Sequence, residues 1–147
     1  MYRGISAINL DEKGRIALPT RYRDELDAVV VTIDTEETCL LMYPQSEWED
    51  IEEKIAALPS FNPAARRVQR LLIGHATELN LDNNGRILLP QLLRDYAGLE
   101  KQIMLVGQGK KFEIWGASVW EMRRKEWLNA STTEAEALPV ELQILSL

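Results

Sequence analysis

One cysteine, one histidine and two phenylalanines in 147 residues exclude a good deal of chemistry. Cys39 has no partner within the chain for a disulfide and no second cysteine for a cysteine metal site. Its place in the apolar run Cys39-Leu40-Leu41-Met42-Tyr43 predicts a small buried hydrophobe. With His75 as the sole histidine, no Gly-x-Ser-x-Gly and no His-Glu-x-x-His, the chain lacks a ready nucleophile, base or zinc cluster. It therefore reads as no enzyme, with no cofactor, no metal and no small-molecule substrate, and His75 as a structural residue between a helix and a strand. No stretch approaches the roughly 20 apolar residues that span a bilayer. The opening Met1-Tyr2-Arg3-Gly4 lacks the apolar core of a secretory signal, which together predicts a cytoplasmic protein with no membrane partner. Positive charge is short as well: 17 basic residues against 23 acidic ones give a net charge of −6, which argues mildly against nucleic acid.

Distribution says more than the sum. Eight carboxylates lie between Asp34 and Lys54, namely Asp34, Glu36, Glu37, Glu47, Glu49, Asp50, Glu52 and Glu53. They read as a solvated acidic helix face rather than a metal site, since no histidine or second cluster is placed to close one. Basic residues gather instead at Lys13 to Arg23, Arg66 to Arg70 and Arg123 to Lys125, so an acidic total can hide a basic face.

What the chain does have is a repeat. Asn9-Leu10-Asp11-Glu12-Lys13-Gly14-Arg15-Ile16-Ala17-Leu18-Pro19 returns, 71 residues on, as Asn80-Leu81-Asp82-Asn83-Asn84-Gly85-Arg86-Ile87-Leu88-Leu89-Pro90. Ile8, Leu10, Ile16 and Leu18 alternate around the first turn, and Leu79, Leu81, Ile87 and Leu89 around the second, so each copy predicts two strands and a hairpin tipped by glycine. Pro19 and Pro90 then suit the first turn of a short helix, with Tyr22 and Leu26 in one copy and Leu92 and Tyr96 in the other spaced for a buried face. Val29 to Ile33 answers Ile103 to Val106, and Leu40 to Tyr43 answers Phe112 to Trp115, as further strands. Ser46 and Ser118 look like N-caps of helices carrying Trp48 and Trp120 in their first turns. Each half thus reads strand, turn, strand, helix, strand, strand, helix. A unit of this size buries little core alone, so the halves are expected to pack together or exchange strands. Between them, Asn62 and Pro63 cap and start a linking helix to about Ile73, with Val68, Leu71 and Leu72 inward. The stretch from Asn129 to Ala137 reads as mobile or weakly helical, and the apolar ending from Leu138 as a segment that docks.

Arg15 and Arg86 carry the functional argument. They can simply pair with Asp11 and Asp82, which brace the turns. However, both copies keep glycine and arginine while the residues between change from Glu-Lys to Asn-Asn, which favours a binding role. A guanidinium holds a phosphate, or the O6/N7 edge of guanine, with two hydrogen bonds. Arg21, Arg23 and Arg94 are further DNA-contact candidates, with Asp24, Glu25 and Asp95 close enough in sequence to neutralise them. Arg66, Arg67 and Arg70 fall on one helix face, where solvent or a neighbouring subunit is as good a partner as DNA.

Asp11-x-x-Gly14-Arg15-Ile16-x-Leu18-Pro19-x-Arg21-Tyr22-Arg23, its second copy from Asp82, Asn62-Pro63-x-x-Arg66-Arg67-x-x-Arg70 and Tyr2-Arg3-Gly4 together closely resemble the MraZ family, end to end. The ending Leu142-Gln143-x-Leu145-Ser146-Leu147 is similar to its proteobacterial members. The resemblance implies an α+β fold of two pseudo-symmetric, swapped-hairpin SpoVT-AbrB-like units in one chain, at residues 5–48 and 76–120. A linker with a helix at 49–75 and a C-terminal helix end and tail at 121–147 complete it. It also implies a ring-shaped homo-oligomer that binds double-stranded DNA and associates with the nucleoid. Such proteins repress the division and cell wall gene cluster, their own promoter included, through guanine-rich direct repeats. Carried onto this chain, the DNA contacts are Lys13, Gly14 and Arg15 in one loop and Gly85 and Arg86 in the other. Asn84 replaces Lys13 in the second copy, so the first loop is expected to bind more strongly. The rival expectations are an AbrB-type antitoxin or other protein-interaction module, and a small-molecule hydrolase, for which no clustered polar pocket is apparent.

Overall fold

The computed structural model describes residues 1–130 and 139–145. Among the described residues, eight strands and six α-helices follow one another with the order of each half repeated. The first half contains β1 (Ile5–Asn9), β2 (Arg15–Ala17), α1 (Thr20–Arg23), β3 (Ala28–Ile33), β4 (Leu40–Pro44) and α2 (Gln45–Ala56). The linking helix α3 (Pro63–Val68) continues through a π-helical turn at Gln69–Ile73. The second half contains β5 (Thr77–Asn80), β6 (Arg86–Leu88), α4 (Gln91–Tyr96), β7 (Gln102–Gly107), β8 (Phe112–Gly116) and α5 (Ala117–Asn129). A short α6 (Val140–Gln143) follows. The expectation for Asn129 to Ala137 falls mainly on residues outside those described, as do Ser146 and Leu147 of the ending.

The strands do not pair within their own halves alone. A six-stranded antiparallel sheet runs β1-β7-β8-β4-β3-β5, and a separate ribbon joins β2 to β6. Thus β1 lies against β7, and β5 against β3, each strand having crossed into the other half. The expected hairpin survives only at its tip, where Leu10 bridges Ile16. Beyond that bridge β1 departs into the large sheet and β2 into the ribbon. Exchanging the halves leaves the strand order unchanged, so the chain has an internal pseudo-two-fold axis. Two pairs sit on that axis facing their own counterparts: Ile16 opposite Ile87 in the ribbon and Leu41 opposite Glu113 at the centre of the sheet.

Period-two alternation divides the core between the two faces of the sheet. On one face Val29, Val31, Ile33, Leu40, Met42, Ile103, Leu105, Phe112 and Ile114 meet Ile16, Leu18, Ile87 and Leu89 from the ribbon region, with Tyr22, Leu26, Leu93 and Ala97. On the other, Val30, Leu41 and Tyr43 receive Trp48 of α2, while Cys39, Val106 and Trp115 receive Trp120 of α5. Cys39 is fully buried, as its surroundings in the sequence predict. Asn62 caps α3 as expected, its Oδ1 accepting from the Ala64 N–H at 2.9 Å. Leu71 and Leu72 are partly buried, against the first and second of these clusters.

Three local expectations are corrected. Pro19 and Pro90 stand at the N-cap, with ψ of 140° and 146°, and not inside the first turn. Ser46 and Ser118 do not cap their helices, because the extended residues Pro44 and Gly116 carry each strand straight into helix two positions earlier. In α4 and at its C-cap the buried residues are Leu93 and Ala97, whereas Leu92 is 66% exposed and Tyr96 turns its hydroxyl to the Asp34 carbonyl. Leu93 and Ala97 are the counterparts of Tyr22 and Leu26 at the shift of 71, so the pseudo-symmetry decides which face is buried.

Candidate nucleic-acid interface

Each Asp-x-x-Gly-Arg turn is organised by its aspartate. Asp11 Oδ1 accepts from the Lys13 N–H at 3.0 Å and the Arg15 N–H at 2.8 Å, and Oδ2 accepts from Arg15 Nε at 2.8 Å. Asp82 repeats the pattern: Oδ1 accepts from the Asn84 and Arg86 N–H groups at 2.9 Å, and Oδ2 from Arg86 Nε at 2.8 Å. The Arg15 N–H above all, then its side chain, holds the Asp11 carboxyl below the usual carboxylate range. The Arg86 and Asn84 N–H groups do the same for Asp82. The Arg–Asp pairing that would explain these arginines away is therefore present, yet it uses only Nε. Neither arginine's Nη groups hydrogen-bond to protein among the described residues, so the outer edge of each guanidinium keeps its bidentate capacity.

The two turns are fastened to each other by the opposite halves of the chain. Leu18 N–H donates to the Gly85 carbonyl and Leu89 N–H to the Gly14 carbonyl, both at 2.9 Å. Arg94 lies over Gly14 while its Nε donates to the Leu89 carbonyl at 2.9 Å. Arg23 lies over Gly85 while its Nε donates to the Leu18 carbonyl at 2.8 Å. Neither forms an ion pair with Asp24, Glu25 or Asp95 among the described residues. Asp95 instead accepts from Gln91. Each turn thus gathers three positive or polar elements: Lys13, Arg15 and Arg94 around Gly14, and Asn84, Arg86 and Arg23 around Gly85. Arg21 is not part of either group. Its Nη2 donates to Ser6 Oγ at 2.8 Å and its guanidinium lies 4.6 Å from the centre of the Tyr22 ring.

Cross-half bracing by Arg23 and Arg94 is what the linear sequence hides, since it follows from the exchange of strands. In the ribbon Arg15 faces Leu88 and Ala17 faces Arg86. Because Ile16 and Ile87 point into the core, Arg15, Ala17, Arg86 and Leu88 share the outward face. Arg15 and Arg86 are diagonal neighbours there, with Cα atoms about 7–8 Å apart by strand geometry. A two-stranded ribbon is one of the elements that the major groove of DNA is wide enough to admit.

A family model described as "MraZ protein, putative antitoxin-like" matches the chain twice, over residues 1–71 and 72–140. The chain belongs to the MraZ family. Each MraZ match contains one Asp-x-x-Gly-Arg turn. The chain is 57% identical to the transcriptional regulator MraZ of Coxiella burnetii over 152 aligned positions, covering the whole of both. It is 55% identical to that of Legionella pneumophila and 53% to that of Halorhodospira halophila, again over the full length of each. At this identity it is a transcriptional regulator of the MraZ family. No described helix is long and apolar enough to cross a membrane.

One grouping escaped the sequence analysis, because its members come from both halves. Ligand-type atoms of Asp34, Cys39 and Glu113 lie within 4.8 Å of one another. Glu113 accepts from Trp115 Nε1 at 3.0 Å, and Cys39 Sγ lies 3.7 Å from Asp34 Oδ2. Burial, then the neighbouring carboxylates, pushes the Cys39 thiol up and keeps it protonated.

Proposed function

We propose that this chain is a DNA-binding repressor that reads guanine-rich direct repeats through the Gly-Arg turns of a ring-shaped homo-oligomer. The genes under its control are the division and cell wall cluster, its own promoter included, and the protein acts in the cytoplasm at the nucleoid. The observation that carries this reading is the ribbon: two arginines whose outer edges are unoccupied, set on one outward face and held by reciprocal bonds between the halves. Arg15 and Arg86 hold guanine edges or phosphates, Lys13 adds charge to the first turn, and Arg23 and Arg94 support the turns from behind. Arg21 contributes at the periphery. One chain with net charge −6 offers only a small basic face, so affinity comes from several chains engaging repeated sites together. Linked weak contacts gain on the order of 10² to 10⁴ in avidity when the geometry lets them bind together.

The test is a salt-titrated gel shift on the DNA upstream of the protein's own gene, with size-exclusion light scattering for the assembly. Arg15→Ala abolishes binding with an unchanged circular dichroism spectrum, and Arg86→Ala weakens binding less, because its turn carries Asn84 in place of lysine. An unaltered gel shift with Arg15→Ala would sink the assignment of the turns. The family description's wording, antitoxin-like, favours a second reading as a protein-interaction module. A monomer with no affinity for the upstream DNA is the result that would select it.

A further inference from the structure

The outward face of the β2–β6 ribbon departs from the pseudo-symmetry at one position within its strands. Arginine answers arginine at positions 15 and 86, but Ala17 answers Leu88. Leu88 is 54% exposed and directly opposite Arg15, while its chain neighbours Ile87 and Leu89 are buried at 1% and 0%. Strand alternation therefore turns Leu88 away from the core, and its side chain stands beside a guanidinium with an unoccupied outer edge. An arginine and an aliphatic side chain together match one combination in the major groove: the O6/N7 edge of guanine next to the C5 methyl of thymine. The minor groove offers no such methyl.

Resting on the DNA-binding reading above, we infer that Leu88 contacts the C5 methyl of a thymine beside the guanine held by Arg15, and so determines specificity on the reading face. The asymmetry gives the face a direction. A ribbon with identical residues at both ends presents the same chemistry to both strands and suits a palindrome, as two-fold symmetric readers do. Leu88 at one end and Ala17 at the other distinguish the two orientations, which suits sites repeated head to tail.

The experiment uses the full chain and a fluorescein-labelled duplex of its own upstream region, read by anisotropy. Each thymine is replaced in turn by deoxyuridine, which removes only the methyl group. Wild-type protein loses about fourfold in affinity at one thymine, the worth of a single buried methyl. Leu88→Ala loses about the same on unmodified DNA and is indifferent to that replacement. In the double variant Ala17→Leu/Leu88→Ala the sensitive thymine moves to the other side of the guanine step. Wild-type binding that is unchanged by deoxyuridine at every thymine overturns the inference, as does an equal response from wild type and Leu88→Ala. Absence of wild-type binding to any of these duplexes overturns the DNA-binding reading as well, so the two failures are distinguishable.

Discussion

Glycine at the two turns is a conformational requirement first, with an arginine of the other half packed over each. Gly14 and Gly85 sit at φ of 88° and 70°, where a side chain strains the backbone. A Cβ on Gly14 would also come within 2.7 Å of the Arg94 Cζ, and one on Gly85 would overlap the stem of Arg23. Alanine at either turn should cost about 1–3 kcal/mol and push the bracing arginine out of place, weakening DNA binding in the same variant. Gly74 is the control. At φ of −60° with open space around it, it should accept alanine with a gain of about 0.4–1 kcal/mol. Urea unfolding of the three variants checks both directions.

At the scale of elements, the short helices after each turn are the place where spacing misleads. A helix of six residues, Gln91–Tyr96, makes fewer than two turns, so apolar residues at i and i+4 do not establish its buried side. Leu92 and Tyr96 satisfy the spacing yet face outward, while Leu93 is 1% exposed under the ribbon. Leu93→Ala should therefore cost about 2–5 kcal/mol and Leu92→Ala less than about 0.5 kcal/mol, measured by denaturant midpoints. Equal effects would return α4 to the face its spacing suggests. Strands were readable because alternation over Val29 to Ile33, or around Ile16 and Ile87, is a local signal. Their partners were not, since β1 pairs with a strand almost a hundred residues away and nothing local in Ile5 to Asn9 names it. The position of Arg15 and Arg86 directly after their turns was readable from repetition alone. The roles of Arg23 and Arg94 were hidden for the same reason as the pairing, because each braces the turn of the other half. Ser46 and Ser118 have the composition of caps and lose the position to Pro44 and Gly116 through backbone direction that composition does not encode.

For the whole molecule, exchange of strands makes the halves one cooperative body. The first half alone lacks β7 beside β1, β5 beside β3, β6 beside β2 and β8 beside β4, so it leaves sheet edges and the underside of its ribbon strand uncovered. Full-length chain should unfold in a single transition by circular dichroism and tryptophan fluorescence. A fragment of residues 1–71 should give no cooperative transition at low concentration and regain one on mixing with residues 72–147. Two separate transitions in the full chain would show independent halves instead.

The pair at the centre of the large sheet records what joining the halves permits. Leu41 faces Glu113, its own counterpart, and Glu113 accepts the hydrogen bond of Trp115 Nε1. In an assembly of two identical single-repeat chains, whatever residue occupied that place would meet another copy of itself across the ladder. Glutamate would then face glutamate, an arrangement that like-charge repulsion between directly opposed strand residues disfavours. In a single chain the two sides of that position can differ, so a carboxylate and its indole partner stand where two identical chains would need a residue able to pair with itself.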